Sequence, residues 1–238
     1  MWDRKELKAR GKRAFLANYW RCVLVALLIT LVLGGTAAAG GANGAQAPDL
    51  ISDPPTGSEG QHAFQDMPDS AMLGTLAAVI GGASLLSLAV KILVLNPLEV
   101  GCRRFFLVNG REPATLGELG FGFRNEYGNV LATILLKNLF IFLWSLLFVV
   151  PGIIKAYSYR LVPYLLSENP GMAPTEAITR SRELMNGNKW NAFILDLSFL
   201  GWIILSAITA GLLGVFYVNP YIAATDAELY GAITLQKS

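Results

Sequence analysis

Charge is scarce in this sequence. Only 15% of the 238 residues are charged, against 53% hydrophobic, whereas a soluble domain carries roughly 25% charged residues. The deficit sits in long apolar runs, and the mean hydropathy is +0.46. Both point to a chain embedded in a membrane rather than one built on a large soluble core. Histidine and cysteine are nearly absent too. The single histidine, His62, lies in a polar segment with no second ligand nearby, so no metal site is expected. Cys22 and Cys102 both neighbour basic residues, on what the charge pattern makes the cytoplasmic side, so no disulfide is expected. A net charge of +2 is too small to imply nucleic acid. There is no G-x-S-x-G, Walker-type loop, HExxH, CxxC or acid pair with a histidine. Neither a catalytic residue nor a cofactor is therefore expected.

What is present is a set of apolar segments, at residues 22–40, 72–95, 130–167 and 192–224. The first two match the roughly 20 residues needed to cross a ~30 Å hydrocarbon core. The third would be about 57 Å long as one helix, more than tilt absorbs, so it must fold back. Val150-Pro151-Gly152 is the turn signal inside it. The fourth would be about 50 Å long and has its break at Gly211–Gly214. The expectation is an all-α, polytopic membrane bundle of six transmembrane helices, at 22–40, 72–95, 130–150, 152–167, 190–210 and 213–231. Five is the alternative, with 192–224 unbroken.

The basic residues test this count. Arg4, Lys5, Lys8, Arg10, Lys12, Arg13 and Arg21 precede or open the first segment. Arg103, Arg104, Arg111 and Arg124 fall in one later loop, and Arg180, Arg182 and Lys189 in another. Loop 41–71 has no lysine or arginine and carries Asp49, Asp53, Glu59, Asp66 and Asp69. Six spans put every basic cluster on one side, as the positive-inside rule requires, with the N-terminus cytoplasmic. The single domain 1–238 then comprises a cytoplasmic amphipathic segment at 1–21, a flexible extracellular loop at 41–71 and a cytoplasmic interfacial segment at 103–125. The first segment reads as an uncleaved signal anchor rather than a cleaved signal peptide.

Within 3–20, Asp3 and Glu6 resemble a capping box, and Leu7, Gly11, Ala14, Phe15 and Tyr19 make one apolar stripe among cations. Such a helix is suited to the headgroup plane of an anionic leaflet, or serves simply as a topology signal. Gly74, Ala78 and Gly82 form a close-packing face on the second segment.

Charges inside the apolar segments need partners or water, because a central arginine costs about 2.5–3.5 kcal/mol on insertion scales. Lys137, Arg160 and Asp196 fall at similar heights in their segments, so a buried Arg160–Asp196 pair with Lys137 close by is expected. Tyr157, Arg160 and Tyr164 share a helix face, so the two rings would frame the guanidinium. Lys155 is expected to snorkel to the outer side. Asp226, Glu228 and Glu99 are placed near the cytoplasmic ends of their helices, where Asp226 and Glu228 are expected to face Arg103, Arg104 or the headgroups. The three-membered cluster is either a structural ion pair or part of a ligand pathway.

The blocks "ELKARGKRAFLANYW", "GCRRFFL", "FLWSLLFVVPGIIKAYSYRLVPYLLSENP", "EAITRSRELMNGNKWNAFILDLSFLGW" and "YVNPYIAATDAELY" resemble the bacterial integral membrane proteins of domain of unknown function 975. The resemblance implies a multi-pass protein of the bacterial cytoplasmic membrane. It extends distantly to the membrane region attached to some glycerophosphodiester phosphodiesterases, whose catalytic domain this chain lacks. No catalytic residue is carried over. The expected function is a non-enzymatic membrane module that lies in the bilayer and binds anionic lipid or a membrane protein partner, including a second copy. The alternatives are a small transporter or exporter subunit with a charged intramembrane layer and, third, a membrane enzyme acting on lipid.

Overall fold

The computed structural model describes residues 2–41 and 86–237, with side chains described for 2–31 and 86–237. Loop 41–71 with His62, the Gly74/Ala78/Gly82 face and the start of the second apolar segment lie outside the described residues. Among those described, every element is helical. Two stretches, Tyr127–Leu147 and Lys189–Ile208, are long and apolar enough to cross a membrane. A third joins them if Arg4–Ala17 and Tyr19–Leu31, bent by 108°, count as one.

Helix α1 (Arg4–Ala17) begins where expected, with the Asp3 carboxylate accepting from the Lys5 N–H. Helix α2 (Tyr19–Gly41) leaves it at the sharp bend. Residues 86–95 are helical, ending in a π-helical turn at Lys91–Leu95 that runs into α3 (Asn96–Asn109). A 3₁₀ turn at Leu116–Gly120 and the short α4 (Phe121–Arg124) then fold back on α3. They come so close that a Cβ on Gly101 would stand 2.1 Å from the Leu119 carbonyl oxygen, and one on Gly122 would stand 2.3 Å from that of Pro97. Within segment 103–125 the α3 part enters the protein core, with Phe105 and Phe106 fully buried, while Leu116 and Phe123 remain exposed.

Helix α5 (Tyr127–Leu147) and α6 (Val149–Ser158) form a tight hairpin that turns at Phe148, two residues before the Val150–Gly152 signal. Pro151 is instead carried in the first turn of α6, where its missing N–H has no helical partner to lose. Gly152 lets the legs meet: a Cβ there would stand 2.3 Å from Ser145 Oγ. The segment expected as one helix at 152–167 is two, α6 and α7 (Val162–Glu168). Pro163 explains the break, since its ring would clash with the carbonyl of residue 159 in a continuous helix. Helix α8 (Pro174–Met185) follows. The expected 190–210 helix is interrupted by a turn at Ser198 and Phe199 into α9 (Lys189–Leu197) and α10 (Leu200–Ile208), and Ser198 at the joint donates its hydroxyl to the Leu195 carbonyl. The chain then reverses through Ala210 and Gly211, with φ of 51° and 82°, matching the break expected at 211–214. A π-helical turn, Gly214–Val218, leads into α11 (Asn219–Lys237).

The core sits where α1, α2, α3, α7 and α11 converge, around Phe15, Phe105, Phe106, Tyr164, Leu229 and Tyr230. Helix α1 runs antiparallel to α11. Trp2 lies by Leu235, Arg10 by Glu228, Gly11 against Thr225 and the Phe15 ring 5.7 Å from that of Tyr217. The apolar stripe of α1 is therefore covered by the protein itself, with Leu7, Gly11 and Phe15 buried, and not by headgroups. The two hairpin tips project from this core with their apolar side chains exposed.

Candidate functional site

The ionisable groups gather where the broken helices meet. Because α6 stops at Ser158 and α7 starts at Val162, Arg160 leaves the helix between them and reaches two acids at once. Its Nη1 and Nη2 donate to both oxygens of Asp196 at 2.6 and 2.8 Å, and Nη2 also donates to Asp226 at 2.6 Å. The Tyr157 hydroxyl donates to the same Asp196 carboxylate at 2.7 Å. Arg103 from α3 approaches Asp226 from the other side at 3.7 Å and donates to the Tyr164 hydroxyl at 3.4 Å. Bidentate arginine–carboxylate geometry of this kind gives direction as well as strength.

Of the residues singled out from sequence, Arg160 and Asp196 come together and Lys137 does not join them. Lys137 pairs with Glu99 on α3, its Nζ at 3.3 and 3.2 Å from the two carboxylate oxygens, and both side chains are almost fully buried. Helix α5 crosses α3 here, so a local acid meets the cation before it can reach the α6–α7 joint. The aromatic frame divides as well. Tyr157 stays near Arg160, 5.6 Å from ring centroid to guanidinium, whereas Tyr164 lies beyond the break and faces Arg103 at 5.5 Å. Tyr164 also stacks on Tyr230 at 5.2 Å. Lys155 sits 4.5 Å above the Trp144 ring, across the hairpin from its own helix.

Sequence reasoning offers Asp226 a partner in Arg103, and that pair forms; it does not anticipate that Asp226 also takes Arg160, so that one buried carboxylate bridges two arginines. A signal is present: Asp226 and Glu228 are the only acids in α11. Further ion pairs surround the centre, Arg10 with Glu228 at 2.9 Å and Arg104 with Glu118 at 2.7 Å. Arg104 also donates to the Ser167 carbonyl, and Tyr230 to Glu168.

The centre is electrically balanced. Two arginines face two aspartates, and Lys137 faces Glu99. Among the described residues no cluster of three metal-ligating side chains exists. One polar atom stands out: Arg103 Nε is buried without a hydrogen-bond partner. Arg103 and Asp226 line a cavity of about 380 Å³ whose other walls are mostly apolar, Ala26 and Ile29 from α2 and Ile222 and Ala223 from α11. Thr30 and Asn219 hydrogen-bond across its rim at 3.0 Å.

No curated protein and no solved structure matches the chain. Residues 147–237 do match a family model; they carry Arg160, Asp196 and Asp226, while Glu99, Arg103 and Lys137 lie outside the match. The matched family is the one described as Protein of unknown function (DUF975), and the match is confined to that segment of the chain.

Proposed function

We propose that this chain is a non-enzymatic module of the bacterial cytoplasmic membrane that enters the bilayer through six apolar passages, keeps its N-terminus in the cytoplasm and holds an anionic lipid. The observation that carries the proposal is the pairing of charge. Ions inside the protein satisfy one another, while the described side chains left exposed on the passages are mostly apolar and uncharged. A chemical site needs a group free to act. Here the unsatisfied donor is Arg103 Nε, beside a cavity with aliphatic walls on α2 and α11. A cation at one end of an apolar cleft is suited to a phosphate headgroup with its acyl chains alongside, and the cytoplasmic leaflet supplies anionic lipid.

Native mass spectrometry after gentle extraction tests this, comparing wild type with Arg103→Gln. A phospholipid retained by the wild type and lost in the variant supports the proposal. A wild type that flies bare, with transport of a small solute in proteoliposomes, replaces it with a transporter subunit; a retained protein in place of lipid makes it a docking module.

A further inference from the structure

We infer that the two apolar hairpins, α5–α6 and the one formed by α10 with the turn at Gly214–Val218, do not cross the membrane. They enter the cytoplasmic leaflet, turn near the middle of the bilayer and come back. This deepens the reading of the chain as a membrane protein and rests on it.

Helix α1 supplies the ruler. Arg4, Lys5, Lys12 and Arg13 on it are exposed, and four exposed cations exclude this helix from hydrocarbon. Whatever lies beside α1 is therefore outside the hydrocarbon as well. That includes α11 from Thr225 onward, which packs on Gly11 and pairs Glu228 with Arg10. It also includes Ser198 and Phe199: Lys8 Nζ donates to the Ser198 carbonyl and hydroxyl at 3.2 and 3.1 Å and lies 4.1 Å over the Phe199 ring. The chain leaves this level at Phe199 and is back at Tyr217, which packs on Phe15. Helix α10 has nine residues, about 13 Å of rise, against the ~30 Å needed to cross.

The first hairpin gives a similar length. Arg160 is bonded to Asp226, on α11 next to the Thr225–Gly11 contact, so it shares the level of α1. From Arg160 to the turn at Phe148 is about 18 Å of helix, and from Lys137 to Leu147 about 15 Å. Although Tyr127–Leu147 and Lys189–Ile208 are long enough in total, part of each is spent inside the base.

The tips themselves have the chemistry of a lipid contact. Leu146, Leu147, Phe148, Val149 and Val150 are consecutive and 65–72% exposed, and Ile208 and Leu212 on the second tip are 75% and 64% exposed. No charged residue occurs from 138 to 154 or from 197 to 225. A hairpin emerging on the far side would present these side chains to water. The occupant of this surface is the acyl layer of the cytoplasmic leaflet, with exposed Trp20 and Trp190 placed at the headgroup level that tryptophan favours. Both ends of a returning hairpin stay on the basic side, so the positive-inside pattern accommodates it as well as it does two spans.

Single-cysteine variants in a Cys22→Ala/Cys102→Ala chain test this in intact cells and in inverted vesicles. Phe148→Cys and Leu212→Cys are expected to resist an impermeant maleimide from both sides, while Ser58→Cys labels from outside and Thr175→Cys from inside. A bimane attached at either tip is expected to be quenched most by lipids brominated near the end of the acyl chain. Labelling of a tip from outside, or strongest quenching by bromine next to the headgroup, overturns the inference and leaves the membrane reading standing. If Ser58→Cys fails to label and carbonate releases the chain, the membrane reading itself falls. Should the cysteine-free chain not fold, the tip variants are made with the buried native cysteines retained.

Discussion

At the scale of single residues, the network predicts an order of costs. Asp226 serves Arg160 and Arg103 and its side chain is 12% exposed; Asp196 serves Arg160 and Tyr157 and its side chain is 34% exposed. Removing one charge of a buried pair costs about 3–5 kcal/mol, because the partner stays behind unpaired. For an exposed pair the loss is about 0–1 kcal/mol. Asp226→Asn is expected to fall near the first figure and Asp196→Asn between the two, a ranking that thermal melts in detergent check. Equal melting temperatures would mean that Asp226 is not the shared counter-ion. The Arg160–Asp196 pair is legible in the sequence, since Asp196 is an acid set in an apolar run and an ion there needs a partner. Depth alone assigns Lys137 the wrong partner, because height along a helix says nothing about azimuth. Glu99 and Asp196 are both reachable by depth, and only the crossing of α5 over α3 decides between them.

At the scale of elements, close approach governs the charged base. Gly101→Ala is expected to destabilise the fold by about 1–3 kcal/mol, the usual cost of overfilling a packed site. The new methyl would collide with backbone, the Leu119 carbonyl, rather than with a side chain able to turn away. A melt of the variant beside Gly231→Ala, where a Cβ meets nothing within 4 Å, separates crowding from the change in helix propensity. Helices and turns are largely readable from apolar period and Pro/Gly positions, as the reversal at Ala210–Gly211 shows. Interior breaks are not. Pro163 reads as part of a helix by apolar period, although the residue before a proline is disfavoured in helical conformation. Ser198 gives no distinguishable signal among apolar neighbours. The first break matters for the site, since it frees Arg160 to reach its acids.

At the scale of the whole molecule, α1 and α11 close the structure from its two ends. Gly11→Val would place a branched side chain where a Cβ already comes within 2.9 Å of the Thr225 backbone. Loosening of α1 is the expected result. Trypsin is then expected to cut after Lys8, Arg10, Lys12 and Arg13 far faster than in wild type, while helices α5 to α10 stay intact. Unchanged digestion would show that α1 is held by its other contacts, Trp2 Nε1 with Asn188 and Lys8 with Ser198. The helical class of the fold follows from the apolar segments and their period. The partner of the α1 stripe does not, because an amphipathic period states that a face is buried without stating whether lipid or protein covers it.

The α1–α11 contact also has an order in time. Leu7 and Phe15 leave the ribosome long before Thr225, Glu228 and Ala232. Until α11 is made the first helix lacks the surface it comes to lie on, and its stripe is available to bilayer or chaperone. A chain interrupted before residue 219 is thus marked by a loose, basic α1, which α11 covers once it has been made.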